Sequence, residues 1–165
     1  MKELLEKYTE YNLWANTKLI GFLKNLDLPL IDKELISSFK TIRLTLYHMW
    51  DAEILWYNRL HGKSLSNWPS KGFHGTIDEF YKLFLDQSAK FADYTKSAAE
   101  KNLKENFSYQ STEGEKYTNR QNDIILHCMN HSTFHRGQII TMIRNTGFTD
   151  LSSTDYITFI REHKI

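Results

Sequence analysis

The chain has 165 residues, enough for one domain with its own core and too few for two of ordinary size. Lys and Arg number 21 against 20 Asp and Glu, a formal charge of +1, so there is no broad basic field to neutralise phosphates and nucleic acid is not an expected partner. Cys128 is the sole cysteine, which excludes an internal disulfide framework. No stretch reaches the roughly 18 consecutive apolar residues of a membrane span, and the charged opening Met1–Lys7 has no apolar signal core, so a cytoplasmic protein is expected.

Only two prolines, Pro29 and Pro69, and seven glycines interrupt the chain, which favours long helices. From Lys2 to about Asn25, Leu4, Tyr8, Tyr11, Ala15, Leu19 and Phe22 recur at helical spacing, and Asp27-Leu28-Pro29 ends that helix. A second helix, capped by Ser37 or Ser38, carries Ile42, Leu46, Met49, Glu53, Trp56 and Leu60 and stops at His61-Gly62. Residues 63–75 form a connector. Thr76 and Glu79 then have capping-box spacing, opening a third helix to about Ala99 that buries Phe80, Leu83, Phe84, Phe91 and Tyr94. Phe107–Gln110 and Lys116–Thr118 alternate around the turn-like Ser111–Gly114 and predict a short hairpin. The fourth helix runs from Arg120 to Asn145, ending at Thr146-Gly147, and Ser152–His163 forms a short terminal helix. The fold expected is an all-α, antiparallel four-helix bundle over a single domain, 1–165. Gly137, within the fourth helix, costs about 1 kcal/mol relative to alanine, and a close backbone approach by a neighbouring helix is expected to offset it.

Within that helix His127, His131 and His135 recur every fourth residue and project from one face. Buried imidazoles are penalised unless paired, and a bound metal is one way to pair them. Two imidazoles one turn apart clamp a transition metal, but a third ligand of useful geometry must come from another helix. His48, in the amphipathic run Leu46–Glu53, supplies it, so the expected metal site is His48, His131 and His135. Neutral imidazoles suit a divalent transition metal, zinc or nickel first and then iron or manganese, and three protein ligands leave a coordination position open. Such a metal acidifies water or polarises a substrate group, which points to hydrolysis or metal-activated nucleophile transfer on a small molecule.

Five neighbours are candidates for the chemistry. Asp51 could orient a ligand histidine or act as a base, against the commoner reading of solvated helix surface. Glu53 sits on the interior stripe, and His127 extends the ligand face by one turn, as a supporting or a simple core histidine. Arg136 and Gln138 could bind an anionic substrate or tie helices together. Cys128, three residues before His131, could approach the metal, against the commoner reading of a small buried thiol. Trp14, Trp50, Trp56 and Phe134 are core or interface aromatics, and His61, His74 and His163 receive no role. His-Glu-x-x-His, Glu-x-x-His and glycine-rich phosphate loops are absent, against a metalloprotease of that kind, a di-iron carboxylate bundle and a nucleotide enzyme.

The run Asn130-His131-Ser132-Thr133-Phe134-His135-Arg136-Gly137-Gln138, with His48 and with Tyr11-Asn12-Leu13-Trp14-Ala15-Asn16, resembles the DinB-like (DinB/YfiT) superfamily of metal-dependent enzymes over nearly the whole chain. That resemblance implies a four-helix bundle, a homodimer, and a divalent metal on three histidines that map onto His48, His131 and His135. It also implies hydrolases, transferases that use a low-molecular-weight thiol such as bacillithiol, or a mycothiol-dependent maleylpyruvate isomerase. The rival expectation is a non-catalytic metal-binding or stress-response bundle.

Overall fold

The computed structural model of the chain describes residues 1–163. Four long helices form the body: α1 (Lys2–Leu23), α3 (Ile42–Leu60), α4 (Ile77–Ser97) and α6 (Gln121–Asn145). Short pieces lie between and after them: α2 (Leu28–Ile31), a 3-10 turn (Pro69–Gly72), α5 (Glu100–Leu103), the hairpin β1 (Asn106–Gln110) and β2 (Lys116–Arg120), and α7 (Tyr156–His163). Local chemistry explains several boundaries. Thr76 accepts from the Glu79 amide while Glu79 accepts from the Thr76 amide at 2.7 Å, the reciprocal bonds of a capping box. Gly62 and Gly147 stop α3 and α6 at φ 75° and 96°, where a Cβ would be strained.

One boundary differs from expectation. Thr41, not Ser37 or Ser38, caps α3 by accepting from the Leu44 amide at 3.1 Å, because it immediately precedes Ile42. The Ser38 hydroxyl is engaged elsewhere, with Gln138.

The packing neighbours of α1 are α4 and α6, and those of α3 are likewise α6 and α4, so α1 and α3 lie on a diagonal. Thr45 meets Met142 and Glu53 meets Ser132, so α3 and α6 run antiparallel; Lys2 meets Lys96 and Asn16 meets Ser88, so α1 and α4 do too. The α1/α6 and α3/α4 pairs run parallel, since Leu5 packs near Ile124 and Leu19 near Ile139, while Leu46 shares a cluster with Phe80 and Leu60 with Phe91. The four-helix bundle therefore has the order up, down, down, up. A parallel pair cannot be joined by a tight turn, and the long segment from α3 to α4 returns the chain along the bundle.

Two apolar clusters fill the ends. One gathers Leu19, Ile42, Leu46, Phe80, Phe84 and Ile139; the other gathers Leu5, Leu60, Phe91, Leu103, Ile125 and Met129. Leu4 and Leu83, expected inside, are exposed, and Leu5 takes the interior place beside Leu4. Phe134 is 60% exposed and so is not core. No neighbour comes within 4 Å of a Cβ built on Gly137, so the expected close helix approach is absent there.

Between the two clusters lies a buried polar knot drawn from all four helices. Glu53 is 0% and Arg136 2% exposed, and neither touches water. Asn12 donates to Glu53 at 2.8 Å and accepts from Arg136 at 2.5 Å, so its carboxamide relays between anion and cation. Asn16 does the same at 3.2 and 2.9 Å, while Ser88 donates to Glu53 at 2.8 Å and Ser132 at 3.3 Å. Burial raises the Glu53 pKa, and the bonds from Asn12 and Ser88 and the Arg136 charge oppose it. A network satisfied in this way ties the helices to one register.

Candidate metal centre

Because α3 and α6 are antiparallel neighbours, the first half of α3 faces the middle of α6, and His48 meets His131 and His135. The Nε2 atoms of His48 and His131 are 2.9 Å apart, those of His135 and His131 3.1 Å, and the three nitrogens all fall within 4.8 Å of one another. Two nitrogens at such a distance can share one proton at most, so this cluster is rich in lone pairs. Burial, then the neighbouring His135, lowers the His48 pKa to about 4; burial and all three neighbouring histidines lower that of His131 to about 3. Burial also lowers His135, opposed by its bond to Gln138.

The tautomer of His135 follows from its partners. Gln138 donates its amide to the Ser38 hydroxyl at 2.8 Å, so its Oε1 faces His135 Nδ1, also at 2.8 Å, and can only accept. His135 Nδ1 therefore carries the proton, and Nε2 turns a lone pair towards the other two histidines. Phe39 covers one side, its ring 4.4 Å from that of His48, and Trp68 flanks the other at 6.1 Å.

These residues fit a transition metal. Ligands about 2.05 Å from a tetrahedral ion sit ~3.3 Å apart, close to the 2.9 and 3.1 Å that separate His131 from its two partners, and three neutral nitrogens with no carboxylate suit zinc-like ions rather than magnesium or calcium. His131 Nδ1 is buried without a partner, so nothing else engages that ring beyond its two histidine neighbours.

The other candidates are placed less directly. Asp51 is not solvated surface. It is 4% exposed and accepts from the Ser70 amide at 2.7 Å and its hydroxyl at 2.6 Å, which pins the α3–α4 connector and with it Trp68. Glu53 and Arg136 belong to the polar knot. His127 stands edge-on to Trp56 at 5.0 Å and 6.1 Å from the His131 ring, outside the converging nitrogens. Cys128 is fully buried among apolar side chains, which pushes its thiol pKa up, and it is not one of the converging groups. Sequence reasoning missed Phe39 and Trp68, which sit in connectors with no periodicity to reveal them. It also missed Asn12 and Asn16, whose four-residue spacing on the α1 interior was an available signal.

A cleft of about 340 Å³ opens on His48 and His131 and continues along α3 past Trp56 to the hairpin residue Tyr109, with Trp68 on its wall. That volume lies within the range of small-molecule sites. None of the helices is long and apolar enough to cross a membrane, among the described residues.

The model of the DinB family matches residues 1–163. Protein DinB of Bacillus subtilis (strain 168) is 28% identical over 163 residues, spanning 94% of this chain and 93% of that protein. Two solved structures share the fold: a DinB-like protein from Bacillus cereus ATCC 10987, with TM-score 0.66 and 14% identity over 87% of this chain and 91% of that one, and YfiT from Bacillus subtilis, with TM-score 0.68 and 15% identity over 90% and 91%. YfiT is described as a probable metal-dependent hydrolase with an unusual four-helix bundle topology. With the histidines in place and the match running the length of the described residues, the chain belongs to the DinB family.

Proposed function

We propose that the chain is a metal-dependent enzyme that holds one divalent transition metal on His48, His131 and His135 and acts on a small electrophilic molecule in the adjoining cleft. The observation that carries this reading is the convergence of three Nε2 atoms beside an open cleft. When bound, the metal supplies Lewis acidity, which polarises a ligated substrate group and acidifies a ligated nucleophile. Gln138 holds His135 in the tautomer that presents Nε2, and Ser38 holds Gln138. Phe39 and Trp68 limit water at the histidines, with Asp51 securing Trp68 through Ser70. His127, on the cleft wall, is the nearest side chain able to take a proton from a nucleophile.

Hydrolysis is the first reading, and the fold shared with YfiT supports it. Transfer to a small thiol is the second, favoured by one observation: Asp51 and Glu53, the carboxylates of α3 nearest His48 in sequence, are both committed to other bonds and so are not free to activate water. A thiol, more acidic than water, needs less help. The chain's own Cys128 is buried, so that thiol would be a diffusible one.

The test is elemental analysis of untagged wild-type protein and of His48→Ala. Close to one equivalent of zinc, nickel, iron or manganese in the wild type, lost from a variant with an unchanged far-UV circular dichroism spectrum, is expected. Ester, amide and lactone turnover without thiol would then select hydrolysis, and thiol-dependent consumption of an electrophile would select transfer. A protein that takes up no metal even after reconstitution would leave the non-catalytic bundle. The homodimer implied by the family resemblance is checked by solution mass at micromolar concentration, and a monomer removes it.

A further inference from the structure

Arg59 lies on the same face of α3 as His48, in the series 48, 52, 55, 59 that follows the helical repeat. It is 7% exposed, yet its Nε has no hydrogen-bond partner, and none of the ion pairs among the described residues includes it. Its guanidinium sits in the corner between two aromatic rings, 4.4 Å from the centroid of Trp56 and 5.0 Å from that of Tyr109, which pack edge to face on each other at 5.3 Å. Trp56 is one turn nearer His48, so the side chain leans back along the helix towards the histidines, the direction helical side chains favour. Contact with these rings restrains the guanidinium, and its unpartnered Nε keeps hydrogen-bonding capacity for a ligand. Glu113, at the rim of the cleft, attracts it only through space, since no carboxylate among the described residues comes within ion-pair distance of the guanidinium.

A buried cation without a directly paired carboxylate is costly, and its position in the cleft points to a ligand that supplies the partner. We infer that Arg59 anchors the carboxylate of a small, flat, monoanionic substrate, whose body lies against Trp56 and Tyr109 and whose reacting end reaches the histidines. A monoanion is favoured over a phosphate because one cation stands here, with Glu113 close by, and a guanidinium fork matches a carboxylate edge to edge. This assignment rests on the proposed function only for what happens at the far end of the substrate. The anion site itself does not need the metal.

The experiment measures binding of benzoate and of benzamide, its neutral near-isostere, by calorimetry, to protein as purified and after metal removal and dialysis. Phenylphosphonate is the third probe. The carboxylate is expected to bind about tenfold more tightly than the amide in both preparations, as suits a hydrogen-bonded ion pair. Arg59→Gln should erase that preference, and Arg59→Lys should retain part of it, with circular dichroism and thermal melting confirming that each variant folds. Equal binding of the pair, no measurable binding of either, or a preference that survives Arg59→Gln overturns the assignment. So does tighter binding of phenylphosphonate than of benzoate. A carboxylate preference seen only with metal bound, and intact in Arg59→Gln, places the anion on the metal: it sinks the role of Arg59 and spares the proposed function. A preference that depends on Arg59 in a protein that never takes up metal supports Arg59 and removes the proposed function.

Discussion

The polar knot and the histidine cluster occupy the same stretch of α6, and their residues are neighbours in sequence: Ser132 follows His131, and Arg136 follows His135. Their physics is opposite. In the knot Glu53 receives bonds from Asn12, Asn16, Ser88 and Ser132, and Arg136 donates to both asparagines and to Thr133. In the cluster three nitrogens point at one another with a proton deficit, one ring nitrogen of His131 lacks any partner, and one side opens to a cleft. Polar residues inside a bundle thus divide by whether their valences are closed. Closed ones hold the fold together, and open ones are available to a ligand.

The largest effect should come from opening the knot. Glu53→Ala leaves Arg136 as an unneutralised buried charge and strips several donors of their acceptor, so a loss of about 3–5 kcal/mol in urea unfolding is expected. His131→Ala, by contrast, should change the stability of the metal-free protein by about 1 kcal/mol or less. Similar losses in the two variants would erase the distinction. A smaller effect tests the bond from His135 to Gln138. Gln138→Leu should weaken metal affinity by about 10–100-fold while leaving the circular dichroism spectrum intact, since partners of this kind orient ligands without holding the fold. Unchanged affinity in a competition with a chromogenic chelator would show that the tautomer of His135 needs no such support.

The smallest effect concerns acid. His48 and His131 titrate near 4 and 3 in the folded chain, below the value of ~6.5 for an unfolded histidine. As pH falls below 6.5 the unfolded chain takes up protons before the folded one, so stability is lost down to about pH 4 for His48 and about pH 3 for His131. Glu53 works the other way, because its raised pKa costs stability as pH rises. Comparing metal-free wild type with His131→Ala isolates the histidines. The wild type should lose more melting temperature between pH 7 and 4.5, and parallel curves would count against depressed histidines.

Much of this was legible in the residues. The four long helices, the Thr76/Glu79 box, the hairpin and the glycine stops follow from local rules, because each depends on side chains a few positions apart. The meeting of His48 with His131 and His135 was also readable, as helical spacing puts the pair on one face and leaves few third partners. Helix order was not, because periodicity says which face is apolar and nothing about which helix covers it. The roles of Asn12, Asn16 and Ser88 were harder to read, since they depend on Glu53 and Arg136 arriving from other helices. Arg59, near the end of a helix, carried no signal in the sequence, because its setting depends on Tyr109 of the distant hairpin.

His48 and His131 stand 83 residues apart in sequence, and they meet only through the diagonal order of the helices. The last of those helices, α6, is also the last of the four to be synthesised, so during translation the nascent chain offers a metal nothing better than scattered histidines. Even released and unfolded, it presents no more than the His127, His131 and His135 run, without the tautomer control of Gln138. A contact of such long range forms late, once loop closure has been compensated by core packing. A metal held on these three histidines would therefore load after folding, reporting a finished bundle rather than guiding its assembly.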